Sequence, residues 1–204
     1  MILKNPKLFY AYIGHAQFVN FKQNLKSAYH KVYKLAESSQ DSASIEKLND
    51  IGIPPYEDAR NLGLLLRIVK KYEHDNSVPA PDSWWKPSPE YDNKIDSRDR
   101  YNGDDYSFLY FAGHKNLGIK SMAEDVDFEK ESLEFKIPVF FIEGGHDILT
   151  SKEINKVYFD KINAPEKEYF LVANAGHSYN NAVIDKHYKI LTKLIMNKIG
   201  YNKK

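Results

Sequence analysis

The sequence predicts an α/β protein built on a parallel sheet, and three observations carry that expectation. Three nearly unbroken apolar runs, "LFYAYIG" (8–14), "IPVFFIEG" (137–144) and "EYFLVAN" (168–174), read as buried strands. Helical periodicity separates and follows them, so the order is strand, helical insert, strand, helix, strand, helix. Strands that alternate with helices are joined by crossovers, and crossovers make them parallel. The last two runs each lead into a polar turn, "EGGHDILT" (143–150) and "NAGHSYN" (174–180). Open parallel sheets carry their functional groups at such strand ends.

The first run is stopped by Gly14. "NFKQNLKSAYHKVYKLAESS" then sets Phe21, Leu25, Ala28, Tyr29, Val32 and Leu35 at helical spacing. "SASIEKLNDIG" reads as a short helix ended by Gly52, with Ser42 or Ser44 as its cap. "IPPY" breaks the chain, and "EDARNLGLLLRIVKKYE" resumes a helical pattern with Gly63 as a weak point. From Asp75 to Gly103 the chain is rich in Pro, Asp, Asn and Ser and loses its apolar period, which predicts a long loop. The Trp84–Trp85 pair inside it is either a lip that touches substrate or, more commonly, a pin that fastens the loop to the core. "DYSFLYFAGHKNLG" and "SMAEDVDFEKESLEF" read as two further short helices. Pro138 opens the second strand, where its missing N–H is tolerated. "TSKEINKVYFDKI" begins with Thr150 and Glu153 at capping-box spacing, and "AVIDKHYKILTKLIMNKI" (182–199) closes the chain as an amphipathic helix.

A length of 204 residues suits one sizeable domain, or one domain with a subdomain. Charges nearly cancel, 29 basic against 28 acidic, so no nucleic acid and no anionic membrane is expected as partner. The absence of cysteine excludes disulfides, thiolate metal sites and a cysteine nucleophile. No apolar run approaches the ~18 residues of a membrane span, and "MILKNPKLF" lacks the apolar core of a signal peptide. The expected location is cytoplasmic. Fifteen tyrosines and eleven phenylalanines argue for a packed core and against disorder.

Asp147 and His177 stand in the two polar turns, after consecutive strands. Strands joined by one helix are normally neighbours, so their loops can meet. A carboxylate bonded to an imidazole fixes its tautomer and stabilises the imidazolium that forms when it takes a proton. Taken singly, Asp147 is more simply a turn residue and His177 an incidental loop residue. Their joint placement, acid before histidine, reverses that balance. Ser178 follows His177 directly but lacks the strand–turn–helix setting of a nucleophile. A metal centre would draw on His146, Asp147 and His177, with His15 or His114, yet no H-x-x-x-H or H-E-x-x-H spacing supports one. No metal and no cofactor is expected. His15, in the turn after the first strand, should lie near the site in a structural role.

"IPVFFIEGGHDILT … NAPEKEYFLVANAGH" resembles the acid and histidine region of α/β-hydrolases. "NPKLFYAYIGHAQFVN … KLNDIGIPPY" is similar to the proline iminopeptidase-like branch of that fold, from just after the nucleophile helix into the cap. The resemblance spans nearly the whole chain and is strongest at its ends. It implies an incomplete α/β-hydrolase sheet formed by 1–19 and 136–204, with 20–135 as a mostly helical cap inserted over the site. It also implies that Asp147 is the triad acid and His177 the triad histidine. The fold's nucleophile sits in G-x-S-x-G, before the acid. No two glycines here are four residues apart, so that motif is absent, and no H-G-G-type oxyanion loop is found. "MILKNPKLF" resembles the end of the helix that follows the nucleophile, which implies that Met1 is an internal methionine and the chain the last two-thirds of a hydrolase.

The leading expectation is therefore the cap and C-terminal portion of a serine hydrolase, aminopeptidase-like, for a peptide, amide or ester bond, and inactive by itself. Completed by an N-terminal part, it would take a small-molecule or peptide substrate. A second expectation is a non-enzymatic binding or assembly module derived from a hydrolase. A third, weaker, is a carbohydrate or aromatic-ligand binder using Trp84, Trp85 and Tyr91. Strands missing beside "LFYAYIG" would leave an apolar edge open to self-association or to a complementary N-terminal fragment.

Overall fold

The structure is a computed structural model that describes residues 1–198; residue 199, the last of the expected closing helix, and 200–204 lie outside the described residues. Three parallel strands form one sheet in the order β1 (Tyr12–His15), β2 (Val139–Gly144), β3 (Lys167–Val172). Tyr12 pairs with Val139 and His15 with Ile142; Val139 pairs with Lys167 and Gly144 with Val172. The helices are α1 (Phe21–Ser38), α2 (Ser42–Ile51), α3 (Ala59–Asn76), α4 (Lys94–Ala112), α5 (Phe128–Glu131), α6 (Lys152–Lys161) and α7 (Asn181–Lys198). By its contacts the chain divides into two compact units. One comprises Met1–Val19, Glu73–Ala80 and Asp127–Lys204, the other Asn20–Tyr72 and Pro81–Val126.

In the sheet unit β2 is buried along its whole length. Its side chains alternate between two cores, as the pleat demands. Val139 and Phe141 join Val19, Phe135, Tyr158, Phe159 and Ile162, while Phe140 and Ile142 join Val172, Ala175, Val183 and Ile190. Both faces are thus covered, which is why this strand reads as an unbroken apolar run. Glu143 is the exception, fully buried at the strand's end. Its Oε1 accepts the Gln17 N–H at 2.9 Å and also bonds the Asn155 amide, whose Nδ2 donates to the Gln17 carbonyl at 2.7 Å. Burial pushes the Glu143 carboxyl up to about 9 against the pull of the Gln17 N–H, with the Asp147 charge adding to the rise.

In the helical unit, α1 and α2 bury Leu25, Ala28, Tyr29, Val32 and Leu48, and Tyr29 Oη donates to the Leu48 carbonyl at 3.1 Å. Asp41, not Ser42 or Ser44, caps α2, because its carboxylate accepts the Ser44 N–H at 3.2 Å. Gly52 ends that helix at φ +68°, as expected.

Four expectations fail locally. The first strand is shorter and later than "LFYAYIG": 6–8 form a 3-10 turn, Leu8 and Tyr10 are exposed, and pairing runs from Tyr12 through His15. The long loop ends at Asn93, whose Oδ1 accepts the N–H groups of Ile95 and Asp96 at 3.0 Å and starts α4. The first half of this helix, 94–104, is mostly polar and shows no apolar period, so capping is its local signal, whereas the second half lies in the expected helical segment "DYSFLYFA". Of "SMAEDVDFEKESLEF", only Phe128–Glu131 is helical. Trp84 and Trp85 do not pin a loop, being 43% and 68% exposed.

Phe141 is fully buried, with ring centroids 5.3 Å from Phe159, 6.0 Å from Tyr12 and 6.1 Å from Tyr158. Phe141→Ala should cost about 3–5 kcal/mol of folding stability through lost burial and the cavity left behind. A urea titration with an unchanged midpoint would show that β2 is not the centre of the core.

Candidate active site

The site is built by the loops that leave β2 and β3. Glycines let the two backbones approach closely. A Cβ on Gly144 would lie 2.3 Å from the Gly176 carbonyl oxygen and 2.6 Å from that of Ala175. A Cβ on Gly145 would lie 2.6 Å from the Ala173 oxygen. Gly145 N–H donates to Val172 O and His146 N–H to Ala175 O, both at 2.9 Å. The turn after β2 is therefore fastened backbone to backbone onto the loop after β3.

Asp147 follows this seam and is completely buried. Its Oδ1 accepts the Thr150 N–H at 2.7 Å, and its Oδ2 accepts the Thr150 hydroxyl at 2.5 Å. His177 Nδ1 lies 3.2 Å from Asp147 Oδ2 and 3.3 Å from Thr150 Oγ1. An ionised carboxylate only accepts. Nδ1 must then carry the proton, shared between Asp147 and the threonine oxygen, and Nε2 keeps the lone pair. The side chain of His177 is 36% exposed while that of its acid is shut away, which suits a base that must be reached from outside. Thr150 was expected to cap α6, but Ser151 does so, accepting the Ile154 N–H and bonding Glu153. The threonine is spent on the acid.

A third acidic group enters from α3. Glu73, 8% exposed, accepts the N–H groups of Ile148 at 2.6 Å, Leu149 at 3.2 Å and His177 at 3.3 Å. No sequence signal marked it, since a glutamate in "KKYEHDN" reads as a solvated helix residue. Burial, followed by the Asp147 charge, pushes its carboxyl above the usual range. For His177 burial alone would lower the imidazole. The hydrogen bond and charge of Asp147, joined by the charge of Glu73, outweigh it and hold His177 above the ordinary histidine value.

The remaining candidates are dispersed. His15 ends β1 with its ring 4.3 Å from Tyr179 and 5.9 Å from His187, and burial, with the His187 and His177 charges, lowers it to about 4. His146 and Ser178 are exposed. His114 belongs to the helical unit, 3.8 Å from Asp58. Among the described residues no group of three or more His, Asp or Glu is placed to hold a metal ion. None of the described helices is long and apolar enough to cross a membrane.

No protein-family model matches the chain. A protein described as a probable aminopeptidase, YbaC of Bacillus subtilis (strain 168), is 25% identical over 198 residues, covering 87% of this chain and 55% of that protein. Among solved structures, that of VinJ superposes with a TM-score of 0.50 at 12% identity, over 92% of this chain and 57% of that one. The α/β-hydrolase domain-containing protein 10 from mouse gives a TM-score of 0.45 at 17% identity, over 96% and 56%. The chain thus spans a little over half the length of the curated relative it matches.

Two outcomes follow from this geometry. Asp147→Asn should lower the His177 pKa, because it removes the charge and leaves only a weaker, neutral amide acceptor; a histidine titration by NMR would show this. A raised histidine contributes stability that is complete below its ordinary value of 6.5 and lost as pH rises through the folded value. That pH-dependent increment should vanish in the variant. Gly144→Ala should drive the two loops apart and destabilise the fold by roughly 1–3 kcal/mol, read by thermal or urea unfolding; an unperturbed variant would contradict the close seam.

Proposed function

For a chain that has the α/β-hydrolase fold, we propose that Asp147 and His177 are the acid and base of a serine hydrolase acting on a peptide, amide or ester bond. The observation that carries this reading is the 3.2 Å contact from a buried carboxylate to Nδ1 of a half-exposed imidazole, with Nε2 left as the acceptor. In that arrangement Nε2 takes the proton of an attacking hydroxyl, and Asp147 stabilises the imidazolium until the proton passes to the leaving group. The aminopeptidase-like relative favours a peptide or amide substrate within that class.

The 204 residues contain no G-x-S-x-G motif. We therefore place the nucleophile and the oxyanion donors on polypeptide outside this sequence, and read the chain by itself as inactive. Acyl transfer needs a nucleophile within about 3 Å of the base and donors aimed at the developing oxyanion. Removing one such donor costs about a hundredfold or more in turnover. The outer side of β1, the edge strand of the described sheet, is the natural seat for the completing strands, whether from an N-terminal fragment or a second copy.

The purified chain should give no turnover of p-nitrophenyl acetate or prolyl-naphthylamide and no fluorophosphonate labelling. Activity appearing on addition of the N-terminal portion of a related hydrolase, and abolished by His177→Ala, would support the proposal. Stoichiometric labelling of one serine in the isolated chain, lost in His177→Ala, would show that the nucleophile lies within these residues. A complemented protein in which His177→Ala changes nothing would favour a binding or assembly module instead.

A further inference from the structure

Glu73 belongs neither to the turn of Asp147 nor to the loop of His177, yet its carboxylate touches both. It comes from the last turns of α3, in the part of that helix that packs with the sheet unit. Oε1 accepts the N–H groups of Ile148 and Leu149, next to Asp147, and Oε2 accepts the N–H of His177 itself. Gly176 makes room for it: a Cβ there would meet Glu73 Oε2 at 3.3 Å and Ser77 Oγ at 3.2 Å. We propose that Glu73 is a positioning residue that holds the Asp147 turn and the His177 backbone in one frame, and that it does so most firmly while ionised. This inference rests on the reading of Asp147 and His177 as acid and base.

The advantage of ionisation follows from counting donors. Three N–H groups converge on the two oxygens, and a carboxylate satisfies all of them with charge-assisted bonds. Protonation leaves a hydroxyl oxygen that still has lone pairs but accepts more weakly. Oε1 already faces two N–H groups, so the proton settles on Oε2, and the single tie to the His177 N–H weakens while the Asp147 turn keeps its two bonds. The titratable groups acting on Glu73 are Asp147, from the loop after β2, and His177, from the loop after β3. Burial and the Asp147 charge work against its ionisation, and the N–H bonds and a protonated His177 work for it. A carboxyl raised by folding favours the protonated form, so its contribution to stability is lost as pH rises through the folded value. Ionised Glu73 therefore serves placement at the expense of stability. Protonated His177 favours ionised Glu73, so the clamp tightens in the charge state that a base reaches during turnover.

The test is NMR on the intact, isotope-labelled chain. In the wild type, the Glu73 carboxyl carbon and the His177 amide proton should share one inflection as pH falls. Glu73→Gln should lower the His177 pKa and speed exchange of the His177 amide by roughly tenfold or more, while Glu73→Asp, which keeps the charge, should restore part of the pKa. Unchanged His177 pKa and exchange in Glu73→Gln would overturn the proposal. If that variant fails to fold, the wild-type titration decides, and a His177 amide that ignores the Glu73 inflection overturns it equally. The Asp147→Asn variant separates the two readings. If His177 ignores Asp147→Asn, the acid–base pair itself falls; if it responds to Asp147→Asn but not to Glu73→Gln, only the role of Glu73 falls.

Discussion

The backbone seam between Gly144–Gly145 and 173–176 is the constraint on which the rest of the site depends. It brings two loops from separate strands within van der Waals contact, and only hydrogen side chains leave room for it. Once that distance is set, Asp147 falls within 3.2 Å of His177 without help from the exposed surface. Thr150 and Glu73 then spend their hydrogen bonds on the acid and on the backbones beside it. The result is an imidazole whose tautomer, orientation and charge are all determined by groups that a solvent molecule does not easily reach.

Two kinds of buried acid coexist within a few residues of one another. Glu143, at the end of β2, is pushed up to about 9 and is neutral at pH 7, where it ties the exit of β1 to α6 through Gln17 and Asn155. Asp147, equally buried, instead receives an N–H, a hydroxyl and an imidazole. One acid mainly holds elements together; the other is equipped to act on a histidine.

How much of this was legible in the sequence depended on whether the signal was local. The strand β2 was readable because burial on both faces leaves an unbroken apolar run, β3 because Tyr169 to Val172 is apolar although only half-buried, and Asp147 and His177 because each follows such a run. The start of β1 was misread because Leu8 and Tyr10 are apolar but exposed. The second half of α4 is legible in "DYSFLYFA", but its first half is not, because polar residues dominate 94–104 and leave Asn93 as the marker of its start. The capping-box spacing from Thr150 to Glu153 points to the wrong cap, since Ser151, which lacks that spacing, caps α6 while Thr150 turns to the acid. Glu73 could not have been found, because its three donors lie 75 to 104 positions away along the chain. Local chemistry writes elements into a sequence, whereas a long-range carboxylate leaves no trace there.

The packing of Tyr179 on His15 has a consequence of scale. Tyr179 lies in the loop after β3, His15 at the end of β1, and β2 runs between them. Neighbouring strands are about 4.8 Å apart, so that loop bridges roughly 10 Å across the sheet end. Tyr179 thus reaches past the end of β2, and the loop works as a gantry that hangs His177 over the turn of Asp147.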